Sequence, residues 1–223
     1  DGNAAPVEPF LPSEPKGEIQ FPCEILEGSS RTWEQFSELH DYTYAATWTM
    51  VQSGVLRFGK VGGSVCFVVT DAARRSAEIR KVSGKPFFGD SKQYPLKGVD
   101  KAWPVGGELL DTQDNIFVAE GSTDTLSAYD QYVRYRKSGG DRNWLPIGIL
   151  GAKVARLDRG FLQRLRGRHV RLCPDGDDAG DAARESWTKL FRDAGASVDA
   201  VEMPRGRDLS DVAGEIEPEV LFA

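Results

Sequence analysis

From about residue 108 onwards, short apolar runs alternate with segments whose apolar residues recur at helical spacing. The first run covers residues 116–119, and the segment after it carries Leu126, Tyr129 and Val133 on one helical face. Further runs lie at residues 144–150, 169–173 and 198–203. Strands that alternate with helices form a parallel sheet covered on both faces, so the pattern predicts an α/β fold for this region.

Acidic residues directly follow two of these predicted strands. Glu120 ends the first run, and Asp175-Gly176-Asp177 follows the third. Because parallel α/β sheets bind ligands beyond the carboxyl ends of their strands, we expect Glu120, Asp175 and Asp177 to meet at one edge. Carboxylate oxygens suit Mg²⁺ or Mn²⁺, which bind a few carboxylates together with water and substrate phosphate. The sequence therefore predicts a metal site at this edge.

The amino-terminal half has a different pattern. Residues 1–29 are rich in proline, which predicts an extended tail or linker. Residues 30–107 predict a small α+β subdomain with one helix carrying Trp33 and Phe36 and a second carrying Tyr44 and Trp48. Three short strands are expected near residues 55–58, 65–69 and 77–82. The second domain then extends over residues 108–223.

Composition excludes several classes of protein. The net charge of −6 argues against a protein that coats nucleic acid non-specifically, although local basic patches remain compatible with it. No apolar run reaches the roughly 20 residues of a membrane span, and the three cysteines show no paired spacing. We therefore expect a cytoplasmic protein with no membrane partner. The sequence contains neither a Walker loop nor a dinucleotide-binding glycine motif.

Three acidic segments resemble the TOPRIM domain in order and spacing: EGSTD at 120–124, DGDDAG at 175–180 and RGRDLSD at 205–211. More narrowly, they resemble the TOPRIM domain of bacterial DNA primases and of the primases of phages and mobile elements. The resemblance covers residues 108–213. Residues 44–107 resemble more loosely the amino-terminal half of a primase catalytic core, in which a basic α+β subdomain guides the template.

The resemblance implies a role for each matching residue. Glu120 would be the acid of the first motif, acting on the metal or as a general acid or base, and Asp175 and Asp177 would be metal ligands. Asp208 would also hold metal. The implied nucleotide-binding residues are Lys153, Asp124, Arg205, Arg207 and Asp211. Asp124 has an alternative role, because it lies one helical turn in and would be able to orient Gly121 or cap the helix.

Basic residues in the small subdomain predict a nucleic-acid surface. They are Arg74, Arg75, Arg80, Lys81 and Lys85, and the neighbouring Phe87, Phe88 and Tyr94 would stack on bases. The run at residues 134–137 is explained equally well as helix surface charge. The run at residues 164–169 precedes a strand, so we expect it at the opposite edge, where His169 would not be catalytic.

Together these features predict a metal-dependent, primase-like nucleotidyltransferase that synthesises short primers on single-stranded DNA from NTPs. It would act in DNA replication of a phage or mobile element. Two alternatives stay open: a TOPRIM nuclease that cleaves phosphodiesters, and a non-catalytic TOPRIM module that binds nucleic acid. The chain has no cysteine spacing for a zinc ribbon. Bacterial primases usually carry such a module at the amino terminus, so we expect either that a template-reading domain is missing here or that none exists. The partner would be that missing domain or a replicative helicase.

Overall fold

The computed structural model describes residues 18–223, which form a three-stranded antiparallel sheet and a four-stranded parallel sheet with their helices. The amino-terminal elements are α1 (Ser30–His40), α2 (Tyr44–Gln52), β1 (Leu56–Val61), β2 (Ser64–Thr70) and β3 (Ala77–Lys81). After a 3₁₀ turn (Gly107–Thr112) come β4 (Asn115–Glu120), α3 (Gly121–Lys137), β5 (Trp144–Ile149), α4 (Arg159–Gln163), β6 (His169–Cys173), α5 (Asp178–Asp193), β7 (Ser197–Ala200), α6 (Leu209–Val212) and α7 (Pro218–Phe222).

The second sheet is parallel throughout, with the strand order β5-β4-β6-β7. Glu120, at the end of β4, is paired with Ile149 of β5, and Ala119 is paired with Cys173, at the end of β6. Strands β4, β5 and β6 therefore end at the same level. This arrangement confirms the predicted fold class and brings the residues that follow β4, β5 and β6 to one edge.

Both faces of the parallel sheet are covered, as the fold class requires. Side chains alternate along β4, so Ile116 and Val118 pack in a core with Phe161 of α4 and Trp187 of α5. Phe117 and Ala119 point to the other face. There they pack with residues of α3, α6 and α7: Ala128, Tyr132, Leu209 and Phe222. Helices on both faces leave the strand ends as the open part of the sheet.

Helix α3 joins the two sheets. One of its sides packs on β4, while Leu126, Tyr129 and Val133 pack in a second core with residues of α2, β1 and β2. At this junction the amide and hydroxyl of Thr43 both donate to Asp130 Oδ1, at 2.7 and 2.9 Å. Hydrogen bonds to a buried carboxylate are among the stronger ones, so the small subdomain is held firmly against α3.

The described part of the predicted tail lies along the small sheet. Ile19 is buried, and Leu26 and Phe58 exchange two backbone hydrogen bonds of 2.8 Å. The rest of the predicted tail, residues 1–17, lies outside the described residues. The division into tail, subdomain and TOPRIM domain stays a prediction. In the described part of the chain, no helix combines the length and apolar character needed to cross a membrane.

Candidate metal and nucleotide site

The candidate site is formed where the chain leaves β4 and β6. Glu120 is the last residue of β4, Asp175 lies two residues beyond β6, and Asp177 caps α5 by accepting a 2.8 Å bond from the Gly180 amide. Gly121 has φ +77°, which lets α3 begin directly after Glu120. Two short strand-to-helix turns therefore place their acidic residues side by side, as the sequence predicts.

Glu120 is largely buried at the end of β4. Its side chain is 7% exposed, and Oε2 has no hydrogen-bond partner among the described residues. Burial, followed by the nearby charges of Asp175 and Asp177, raises the pKa of Glu120 to about 7, although the backbone amides of Asp175 and Ala152 act in the opposite direction. Glu120 thus lies close to its titration point at neutral pH.

Asp175 has a similarly unfavourable environment for a negative charge. Burial raises its pKa to about 6, and the charges of Asp208, Asp177 and Asp211 add to the effect. Asp208 and Asp211 belong to a separate loop, yet their charges are near enough to act on Asp175. The structure therefore brings together Glu120, Asp175, Asp177 and Asp208, which we call the acidic cluster.

A close contact between backbones holds the loop that carries Asp208 against the turn after β6. The Gly176 amide donates to Arg207 O at 2.9 Å, and the Gly206 amide donates to Gly176 O at 2.7 Å. A Cβ atom at position 176 would lie 2.1 Å from Pro204 O, so only glycine fits there. Asp208 itself caps α6, accepting 2.8 Å bonds from the Asp211 amide and the Ser210 hydroxyl.

Asp124 connects two of the acidic segments. It is 4% exposed and accepts a 2.8 Å hydrogen bond from the Ser210 amide, which joins α3 to α6. Burial and the charges of Asp208 and Asp175 raise its pKa well above the usual value. This contact gives Asp124 a clear structural function, and its role in nucleotide binding stays a prediction.

The acidic cluster fits a divalent cation by its chemistry. No group of three or more His, Cys, Asp or Glu side chains in residues 18–223 is arranged as a ready-made ligand set. However, Glu120 Oε2 is unpartnered, and the charges of neighbouring acids help to raise the pKa of Glu120 and the pKa of Asp175. Mg²⁺ commonly takes only one or two carboxylates and fills its remaining positions with water and phosphate. Glu120, Asp175, Asp177 and Asp208 are the residues that would hold such an ion.

The arginines at this edge pair with acids outside the acidic cluster. Arg205 contacts Asp178 and lies 2.8 Å from Asp181, and Arg207 lies 2.8 Å from Glu215. Such exposed pairs contribute little to stability, so either arginine is able to exchange its partner for a phosphate. Lys153 is exposed in the loop that follows β5.

The predicted nucleic-acid surface divides into two groups. Arg75 lies 3.0 Å from the buried Asp71 and stacks on Trp103, which gives it a role in the fold. Arg80 donates to Thr123 Oγ1 at 3.0 Å and so faces the start of α3. The exposed members are Arg74 and Lys85, and Lys81 is half-buried above the ring of Phe87.

An aromatic group adjoins the exposed basic residues. Phe87, Phe88 and Tyr94 have ring centroids 5.2 to 6.3 Å apart, and Phe88 is 60% exposed. An exposed aromatic ring beside basic residues is able to stack on an unpaired base. The predicted stacking residues are thus gathered in one place.

Two polar residues beside the site were missed by the sequence predictions. Glu78 of β3 is buried, and it accepts hydrogen bonds from the Ser122 hydroxyl and, at 2.9 Å, from Gln93 Nε2. The sequence of β3 mixes apolar and charged residues, so Glu78 resembles a solvent-facing strand residue and no sequence signal marked it. Lys101 approaches Gly151: its Nζ lies 3.9 Å from the position that a Cβ atom would occupy on that glycine. No sequence motif marked this lysine.

The basic residues that precede β6 lie at the opposite edge of the sheet, as expected from the topology. Arg164 and Arg168 pair with Asp111, and His169 Nε2 lies 3.2 Å from Asp199. His40 packs among Phe36, Tyr42 and Phe67 on the small subdomain. Neither histidine adjoins the acidic cluster.

One known protein family matches the region that contains the acidic cluster. Residues 117–213 match a family model described as Toprim-like, and this segment contains the whole acidic cluster. No curated protein matches the chain in sequence.

Solved structures resemble a larger part of the chain. The primase fragment of the bacteriophage T7 primase-helicase protein is 17% identical, with a TM-score of 0.55, over 78% of this chain and 67% of that chain. A chain in the T7 lagging-strand DNA polymerase structure, which includes primase domains of two gp4 subunits bound to an RNA/DNA hybrid and dTTP, is 18% identical. The match to that T7 chain has a TM-score of 0.55 and covers 78% of this chain and 85% of the T7 chain. At these identities the likeness shows a shared fold.

Proposed function

We propose that this chain, which carries a Toprim-like domain within a primase-like core, is a metal-dependent nucleotidyltransferase that makes short primers on single-stranded DNA. The observation that carries the proposal is the acidic cluster. Its carboxylates meet at the carboxyl edge of a parallel sheet, and Glu120 Oε2 is left without a partner. A protein that only bound phosphate would gain nothing from so much negative charge, which disfavours the non-catalytic alternative.

The proposed chemistry is nucleotidyl transfer: a primer 3′-hydroxyl attacks the α-phosphate of an NTP, a phosphodiester bond forms, and the bond to the leaving pyrophosphate breaks. A bound Mg²⁺ or Mn²⁺ would supply the positive charge that neutralises the triphosphate. Asp175, Asp177 and Asp208 would hold that charge at the sheet edge. Glu120, whose pKa is about 7, would share in this and take the proton of the attacking hydroxyl at Oε2. Arg205, Arg207 and Lys153 would then contact phosphate oxygens.

The small subdomain would guide the template. Arg74, Lys81 and Lys85 would contact the phosphate backbone, and the aromatic rings beside them would stack on unpaired bases. Arg80 lies between this surface and the first turn of α3. Such an arrangement would lead a single strand from the aromatic group towards the acidic cluster. A template-reading domain or a replicative helicase would be needed for efficient initiation of primer synthesis.

Primer synthesis tests the proposal directly. The protein is incubated with single-stranded DNA, labelled NTPs and Mg²⁺ or Mn²⁺, and the products are separated on a denaturing gel. We expect oligonucleotides a few residues long that disappear when EDTA is added. Shortening of the DNA without synthesis would instead indicate the TOPRIM nuclease. Binding of DNA with neither product would indicate the non-catalytic module.

Replacing Arg74 and Lys85 with alanine should weaken binding of single-stranded DNA about equally for all sequences. Each lost phosphate contact should also lower the slope of log affinity against log salt by about 0.7. Fluorescence anisotropy over a salt series measures both effects. Lys137→Ala, at the far end of α3, is the matched control and should retain the parent slope. An unchanged slope in the double variant would contradict the proposed template surface.

A further inference from the structure

Exposed aromatic side chains lie on the helical side of the small subdomain. Helices α1 and α2 cover one face of the antiparallel sheet, and the segment with Phe87 and Tyr94 packs on the other. Tyr44 is 44% exposed, and Trp48, one turn further along α2, is 49% exposed. The ring centroid of Trp33, on α1, lies 6.5 Å from that of Tyr44. We call these three residues the helical aromatic patch. Tryptophan and tyrosine are enriched in protein interfaces.

An apolar groove of about 440 Å³ adjoins the helical aromatic patch. Leu26, Phe58 and Val65 line it, and the side chains of Leu26 and Val65 are half exposed. Gly28 connects the groove to the patch, because a Cβ atom there would lie 2.9 Å from the Phe58 ring and 3.2 Å from Trp33 Nε1. The groove and the patch therefore form one continuous apolar surface.

The surroundings of this surface are acidic. Residues 18–52, which contain α1 and α2, include six acidic residues and one basic residue. Glu24 lines the groove, and Glu34 and Glu38 are exposed on α1. Residues 53–101, which contain the three antiparallel strands, include ten basic residues and four acidic ones. The small subdomain thus has an acidic helical side and a basic sheet side.

The sign of the charge decides which kind of partner fits the helical side. Carboxylates repel a phosphate backbone, so the helical aromatic patch is a poor platform for nucleic acid. The exposed ring of Phe88, by contrast, lies between Lys85 and Lys92 in the chain. Lysine and arginine side chains are attracted to carboxylates, and they also stack on the faces of tryptophan and tyrosine rings. An apolar groove beside acidic residues therefore complements an amphipathic helix that carries basic residues next to its apolar face.

We propose that the helical aromatic patch and its groove bind a basic amphipathic helix of a partner protein. Apolar side chains of that helix occupy the groove beside Leu26, and its basic side chains pair with Glu24, Glu34 and Glu38 and stack on Trp48. This inference goes beyond the proposed function and does not depend on it, because no residue of this surface belongs to the acidic cluster or to the predicted nucleic-acid surface.

Two fluorescein-labelled peptides of identical leucine and lysine composition test the proposal. In one peptide the leucines recur at helical spacing, and in the other the order is shuffled so that no helical face is apolar. Fluorescence anisotropy should show about tenfold tighter binding of the amphipathic peptide, since the shuffled one is attracted by charge alone. The peptide should also protect tryptophan from iodide quenching, because Trp33 and Trp48 are accessible whereas Trp103, Trp144 and Trp187 are buried.

Two variants locate the binding surface. Trp48→Ala should weaken binding of the amphipathic peptide about tenfold, and Leu26→Ser, in the groove, should also weaken it. Both side chains are about half exposed, so the fold should survive either change. Val220→Ala removes another exposed apolar side chain, on α7, and should retain the parent affinity. Equal affinities for the two peptides, or affinities that neither Trp48→Ala nor Leu26→Ser changes, would overturn the proposal.

Other occupants of the surface give different results. Self-association in sedimentation velocity that Trp48→Ala abolishes would assign the surface to a second copy of the chain and overturn the proposal. Weaker binding of single-stranded DNA by Trp48→Ala would place the patch on the template path and overturn it as well. We expect Trp48→Ala to bind DNA and make primers like the parent. Peptide binding by a parent protein that makes no primers would support this inference and overturn only the proposed function.

Discussion

Asp175→Asn should lower the rate of primer synthesis by about 10²- to 10³-fold, and Asp177→Asn should do the same. Each change removes one negative charge from the acidic cluster and alters little else. Asparagine is a good helix cap, so position 177 would keep its bond to the Gly180 amide and α5 would begin as before. The loss would therefore reflect weaker binding of the cation at the reacting phosphate.

Initial rates across a range of Mn²⁺ concentrations test this expectation, together with calorimetric titration of the metal alone. Asp193→Asn is the matched control: it removes an exposed carboxylate at the other end of α5, where Asp193 pairs with Lys189. We expect that control to retain the parent rate. Unchanged rates and unchanged metal affinity in Asp175→Asn would show that the acidic cluster is not the metal site.

The position of the acidic cluster could be predicted from sequence because parallel topology fixes where strands end. Once residues 116–119 and 169–173 are recognised as parallel strands, Glu120 and Asp175 must lie at the same edge. Asp208 follows from the same rule, although its distance from Asp175 depends on the contact between Gly176 and the loop at 204–207. That contact involves backbone atoms, and Gly176 is the only sequence feature that indicates it.

Interactions between the two subdomains could not be predicted in this way. Periodicity shows which residues share a face, but it does not show that β3 approaches the start of α3. The bond between Glu78 and Ser122 joins residues 44 positions apart, and the Asp124 contact with Ser210 spans 86. Arg75 was grouped with solvent-exposed cations for the same reason, because its contact with Trp103 is a tertiary one.

Secondary-structure boundaries also depended on tertiary contacts. The apolar pattern at residues 157–165 predicts a helix, yet α4 covers only Arg159–Gln163. The Asp158 side chain caps this helix by accepting bonds from the Gly160 and Phe161 amides, which explains where it begins. Leu157 and Leu165 flank α4 in the sequence and are both buried in the core. Their apolar character therefore reflects core packing, although neither residue belongs to the helix.

Without metal, the free energy of unfolding should fall as the pH rises from about 4.5 to about 7, and Glu120→Gln should remove much of that fall. In the folded protein the pKa of Glu120 is about 7, against an ordinary value of 4.5. The folded state therefore holds a proton that the unfolded state has released within this window. The stabilisation is complete below the unfolded pKa and is lost as the pH passes the folded one.

The size of the effect follows from the shift. For Glu120 it corresponds to roughly 3 kcal/mol, and Asp175, with a pKa of about 6, acts in the same direction. Glu120→Gln should therefore be more stable than the parent at pH 8 in EDTA, even though we expect it to be inactive. Denaturant unfolding of both proteins at pH 5 and pH 8 isolates the difference from the titration of other groups.

Mg²⁺ or Mn²⁺ should reverse the order of stability. A cation that binds only the folded state stabilises it by an amount that grows with the logarithm of its concentration above the Kd, and it needs the charge of Glu120 to do so. Added Mn²⁺ should thus raise the melting temperature of the parent at pH 8 and leave that of Glu120→Gln nearly unchanged. If the variant were less stable than the parent in EDTA, burial and the neighbouring charges would not be raising the pKa of Glu120. If Mn²⁺ stabilised both proteins equally, the ion would bind elsewhere.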